Sequence, residues 1–141
     1  MNRLTQKLDK LRKENKKALV AYLVAGDPDM DSTLEIMHLF VESGVDIIEV
    51  GVPFTDPIAE GPIIQRAHDR AIRKKVSLED IFTLIEKFRS KDDETPLVLM
   101  GYLNSFIFYK NLIIENKNNS VDSILVVDIP GELKIKDYGI E

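Results

Sequence analysis

The chain has 141 residues, 44% of them hydrophobic, with a net charge of −5 and no cysteine. That length and apolar content suit one domain with a real core. The acidic balance leaves no electrostatic footprint for nucleic acid, and the lack of cysteine removes disulfides, thiolate metal sites and cysteine nucleophiles. The first 17 residues are charged and carry no apolar run, and no segment approaches the roughly 18 apolar residues of a membrane span. Neither a signal peptide nor a spanning helix is expected, and a soluble, cytoplasmic domain is.

Leu4, Leu8 and Leu11, spaced i, i+4, i+7, predict a short helix with one narrow apolar stripe, its other faces bearing Lys7, Lys10, Arg12, Lys13 and Glu14. Ala18 to Ala25 (ALVAYLVA) is nearly all apolar, as in a strand covered on both faces, and Gly26-Asp27-Pro28 ends it with turn chemistry. Ser32 to Glu35 fits a capping box ahead of a stripe of Leu34, Met37, Phe40 and Val41, closed by Ser43-Gly44. Ile47, Ile48 and Val50 predict a second buried strand with Glu49 inside it. The loop that follows is stiffened by Pro53, Pro57 and Pro62, and Gly61-Pro62 opens a helix running to about Lys75.

Ser77 to Asp80 is another capped start, with Ile81, Leu84, Ile85 and Phe88 on one face. Pro96 to Gly101 predicts strand three, Phe106 to Ile114 an apolar helix, and Ser123 to Ile129 strand four, ending at Asp128. Apolar strands alternating with capped helices mean βα units and a parallel sheet, an α/β fold. After Pro130 the pattern stops, so residues 133–141 are expected to be a weakly structured tail.

Acids near the C-terminal ends of parallel strands are where such folds place their chemistry. Glu49 is the foremost candidate, because a carboxyl in an apolar strand is held protonated by desolvation and can deliver a proton near neutral pH. It and an acid of the following loop are expected to face each other. From spacing alone, Asp56 and Glu60 read as acids that cap a helix or accept backbone N–H groups, and Asp27 as a turn residue. Tyr102, just after strand three, reads as a half-buried tyrosine able to hydrogen-bond a ligand. His38 and His68 lie within helices without metal spacing and read as surface residues. No phosphate-cradling glycine loop and no serine elbow is present.

The stretches AYLVAGDPD, IIEVGVPFTDPIAEGPIIQRA, LMGYLN and DSILVVDIP resemble, in order and spacing, the α chain of tryptophan synthase, from the N-terminal helix to about Glu132. The resemblance implies a (β/α)₈ barrel of which residues 1–132 form the first four βα units, a half-barrel of four parallel strands in the order 1-2-3-4. It implies cleavage of indole-3-glycerol phosphate to indole and glyceraldehyde 3-phosphate, a lyase reaction of tryptophan biosynthesis. Glu49 matches the family's catalytic glutamate, and Glu60 takes the place of its catalytic aspartate. Tyr102 matches a site tyrosine, while Tyr22, in place of a usual phenylalanine, and Met100 fall where the family lines the indole pocket. The expected partner is the tryptophan synthase β chain, touched by the loop from Pro53 to Glu60. Pyridoxal phosphate belongs to that β chain, and no cofactor is expected in this one.

Three departures stand out. Glu60 is one methylene longer than aspartate, which displaces its carboxylate by more than ~1 Å unless the loop adjusts. Ser120 replaces a usual glycine. A (β/α)₈ barrel takes ~250 residues, with phosphate-binding loops after strands seven and eight, so a truncated subunit is expected. The alternatives are a non-catalytic half-barrel that binds the β chain and a gene remnant.

Overall fold

A computed structural model describes residues 2–116 and 120–140. In chain order it contains α1 (Arg3–Lys13), β1 (Val20–Val24), α2 (Met30–Glu42), β2 (Ile47–Gly51), α3 (Pro62–Arg73) and α4 (Leu78–Arg89). These are followed by β3 (Leu97–Gly101), α5 (Leu103–Phe108), α6 (Lys110–Asn116), β4 (Ser123–Val126) and a 3₁₀ turn, Ile135–Tyr138. The four strands form one parallel sheet in the order β1-β2-β3-β4. This is half the strand count of a closed (β/α)₈ barrel. Among the described residues no helix is long and apolar enough to cross a membrane.

Alternation along the strands gives the sheet two unlike faces. Ile48, Val50, Leu97 and Leu99 point into the main core, where they meet Met37 of α2 and Ile81, Leu84, Ile85 and Phe88 of α4. The opposite face carries Tyr22, Glu49, Gly51, Val98 and Met100 in register: Tyr22 beside Glu49, Glu49 beside Val98, and Gly51 beside Met100. This second face, the inner one of a closed barrel, is only partly covered.

The helix boundaries follow local chemistry. Ser77 and Asp80 form the predicted capping box of α4, and Gly61 precedes Pro62 at the first position of α3. The cap of α2 lies earlier than expected. Asp29, not Ser32, is the N-cap, and its carboxylate accepts from the Ser32 N–H at 2.8 Å. The predicted helix from Phe106 to Ile114 is broken at Tyr109 into α5 and α6, which leaves Phe108 81% exposed. Strand four stops at Val126. Asp128 lies beyond it, accepting from the Leu103 N–H at the start of α5 at 2.7 Å.

Strand β1 is not covered on both faces as its composition suggested. It is an edge strand, with Val20 48% exposed and the adjacent Leu19 55%. Beyond Pro130, Ile140 enters the core at 3% exposure and Ile135 packs against it, so two side chains of the expected tail contribute to packing.

At the other end of the sheet a charged cluster ties α1 down. The Asp122 side chain is fully buried and receives Arg89 at 3.1 Å, Arg3 at 3.4 Å and the Leu97 N–H at 2.9 Å. Arg89 also donates to the carbonyls of Thr95 and Ser120. A buried carboxylate needs this degree of compensation.

Candidate active site

The predicted residues lie on one face of β1, β2 and β3 and on the loop and turn that follow β2 and β3. Glu49 lies mid-strand on β2, half-buried, and among the described residues no hydrogen bond or ion pair reaches its carboxyl. Burial alone holds that carboxyl above the ordinary carboxylate range. Tyr22 is its neighbour on β1, and the Tyr22 ring lies against Gly51, where any added Cβ would collide with it. Burial, then the charges of Glu60 and Glu49, raise the Tyr22 hydroxyl's pKa, which places this phenol within electrostatic reach of both acids. Glu49 and Glu60 themselves are joined by no hydrogen bond among the described residues.

Glu60 does not act as a helix cap. Its side chain is 8% exposed, and the Tyr102 hydroxyl donates to Oε2 while His68 Nε2 stands 3.6 Å from Oε1. Tyr102 is fully buried rather than half-buried. Its oxygen accepts from the Ala59 N–H at 2.9 Å, and its ring stacks on Phe54 with centroids 4.8 Å apart. Burial and the bond to Glu60 push Tyr102 up to about 12. Met100 lies beside Gly51 on the same face. Asp56 is exposed at the loop surface, and Asp27 is held at 2.6 and 2.8 Å by Arg70 of α3.

The histidine expectation is overturned. His68 is 1% exposed: its Nδ1 accepts from the Phe54 N–H at 3.1 Å, and its Nε2 lies 3.4 Å from the Tyr22 oxygen. His38 is partly buried and stacks on Phe88, with ring centroids 5.0 Å apart. A signal for His68 is present in the sequence, since Ile64, Ala67, His68 and Ala71 fall at i, i+3, i+4, i+7 and form the inward stripe of α3. Small alanines make that stripe easy to overlook.

The model of one family, the tryptophan synthase α chain, matches residues 8–137. The chain belongs to that family. It is 46% identical over 134 residues to the tryptophan synthase α chain of Thioalkalivibrio sulfidiphilus, covering 94% of this chain and 50% of the relative. To that of Neisseria meningitidis serogroup B it is 46% identical, covering 89% and 51%. Among solved structures, tryptophan synthase subunit α from Legionella pneumophila superposes with a TM-score of 0.89 at 42% identity, covering 94% of this chain and 51% of that one. The chain thus spans about half the length of the tryptophan synthase α chains it matches.

Proposed function

We propose that these residues form the carboxylate half of a tryptophan synthase α active site, which cleaves indole-3-glycerol phosphate by a retro-aldol reaction. The observation that carries this reading is Glu49: a carboxyl without a partner among the described residues, its pKa raised by burial, on the sheet face that also presents Tyr22, Gly51 and Met100. A structural acid in that position would be paired.

In the proposed reaction Glu49 gives its proton to indole C3, and the ring becomes an electron sink. The Glu49 carboxylate so formed takes the proton of the glycerol hydroxyl next to C3. The carbon–carbon bond breaks, its electron pair returns to the ring as indole, and the hydroxyl carbon leaves as the aldehyde of glyceraldehyde 3-phosphate. Glu60 stabilises the positive charge that develops at the indole N–H, and Tyr102 holds the Glu60 carboxylate in place. Tyr22 and Met100 form walls of the indole pocket.

The partner in this reading is a tryptophan synthase β chain, met by the loop from Pro53 to Glu60. Support comes from Ile58 and Ile63, which are 73% and 70% exposed on and beside a loop that is otherwise fastened inward. The test is release of indole from indole-3-glycerol phosphate by these 141 residues joined with the complementary half of a related α chain. Indole formation that Glu49→Gln abolishes supports the reading, and formation that Glu49→Gln leaves intact refutes it.

A further inference from the structure

The geometry points to His68 as a positioning residue for Glu60, acting through an imidazole whose tautomer the protein backbone selects. This rests on Glu60 taking part in the proposed reaction, but its structural content stands on His68 itself.

The ring is enclosed at 1% exposure, so each nitrogen has to be satisfied within the protein. On one side the Phe54 N–H points at Nδ1 from 3.1 Å. A backbone N–H is an obligatory donor, so Nδ1 must present its lone pair, and the single proton of the neutral ring is then confined to Nε2. On the other side Nε2 faces two oxygens, Glu60 Oε1 at 3.6 Å and the Tyr22 hydroxyl at 3.4 Å. With its proton on Nε2 the ring turns its N–H toward the Tyr22 oxygen and, beyond hydrogen-bond distance, puts the positive end of that bond toward the Glu60 carboxylate. Protonating Nδ1 would set two donors against each other at Phe54. Burial likewise lowers the pKa of His68, against the opposing pull of the Glu60 charge.

The consequence for Glu60 is that both of its oxygens are addressed. Tyr102, following β3, donates to Oε2, and His68, on α3, faces Oε1. A glutamate has one more rotatable bond than an aspartate, so its carboxylate would otherwise sample more positions. The Tyr102 hydrogen bond and the electrostatic pull of the His68 N–H, from separate elements, act on its two oxygens and hold it in one position. The same imidazole takes the Phe54 N–H, so one ring fixes the loop near its start and the acid near its end.

The test uses isotope-labelled 141-residue chain and no substrate, so its outcome is independent of whether indole release is ever observed. Two-bond proton–nitrogen correlation near neutral pH should show the Nε2–H tautomer for His68, assigned with a His38→Gln variant. Glu60→Gln removes the negative charge and should lower the His68 titration midpoint further. His68→Asn keeps an oxygen near the old Nδ1 position for the Phe54 N–H but offers no donor to Glu60. It should therefore shift the Glu60 carboxyl carbon resonance. His68→Gln, whose amide nitrogen reaches the old Nε2 position, should return that resonance toward the wild-type value. An Nδ1–H tautomer, a His68 midpoint indifferent to Glu60→Gln, or a Glu60 resonance unmoved by His68→Asn would each overturn the assignment.

Discussion

Tyr22 on β1 and Glu49 on β2 are direct register partners, so phenol and carboxyl leave the same face of the sheet side by side. Burial raises the pKa of the carboxyl beside a hydroxyl whose own pKa is raised, because both groups are partly withdrawn from water. Among the described residues no ammonium or guanidinium group pairs with either, so nothing offsets the effect of burial on that face.

Carboxyl-carbon NMR should place the Glu49 midpoint above the ordinary value of 4.5. The folded state then binds this proton more tightly than the unfolded chain does. The contribution of Glu49 to stability is therefore most favourable below the unfolded midpoint and is lost as pH rises through the folded one. Glu49→Gln should raise the melting temperature at neutral pH and have no such effect in acid. Solvent screening of a half-buried group keeps the gain below the ~2–4 °C that a full ~1 kcal/mol would give a domain of this size. A destabilising Glu49→Gln at neutral pH would show that the carboxylate has a partner.

Catalysis by the 141-residue polypeptide on its own is expected to be undetectable. In barrels of this type the phosphate is held by loops after strands seven and eight, and binding energy from such remote groups orients the reacting centre. Combined with a complementary half-barrel from a related α chain, activity should appear. Glu49→Gln should then lower it by ~10²–10⁴-fold, the range of a general acid–base group. Robust indole production by the short chain alone, followed by absorbance, would contradict this expectation.

Among the described residues no strand pairs with the outer edges of β1 and β4, beside which Leu19, Val20 and Leu125 are exposed by 55%, 48% and 42%. Edges of this kind recruit other strands. Light scattering on the purified chain should show self-association that rises with concentration, and Val20→Lys should reduce it. A sharply monomeric species at all concentrations would show that these edges are protected in solution.

Removing the hub of the buried charge cluster should be costly. Asp122→Ala leaves Arg89 inside the protein without its carboxylate and frees Arg3 from its tie beside β4. Such an uncompensated buried charge typically costs ~3–5 kcal/mol, a large part of the stability of a small domain. Urea denaturation should show a loss of unfolding free energy of that size for Asp122→Ala and a much smaller one for Asp93→Ala, whose side chain is 81% exposed.

The elements that local chemistry dictates can be read from the chain. The Ser77–Asp80 box, the stripe from Ile81 to Phe88 and the Gly61-Pro62 start are encoded within a few residues, and each is present in the fold. The parallel order follows from the βα alternation. Features decided by distant neighbours are less legible. Strand β1 has the composition of a buried strand, yet among the described residues no strand pairs with its outer edge, and no local signal reports that. Glu60 and Asp56 look alike in sequence, but only Glu60 is reached by Tyr102, 42 residues away. His68 escapes a local reading because a histidine close to arginine and aspartate on a polar helix looks solvated, and the groups that enclose it come from β1 and the loop after β2.

The segment from Phe54 to Glu60 is held from three directions: Tyr102 through Ala59 and Glu60, His68 through Phe54, and Gln65 through the Glu60 carbonyl at 2.9 Å. Its conformational entropy is therefore surrendered when the domain folds, not when something docks on it. On the proposed reading, a β chain that closes over Ile58 would meet a template already in shape, and association would lose little further freedom. Recognition at this loop would then depend on shape more than on folding upon binding, and loosening Tyr102 or His68 is expected to weaken the proposed docking without altering the exposed Ile58.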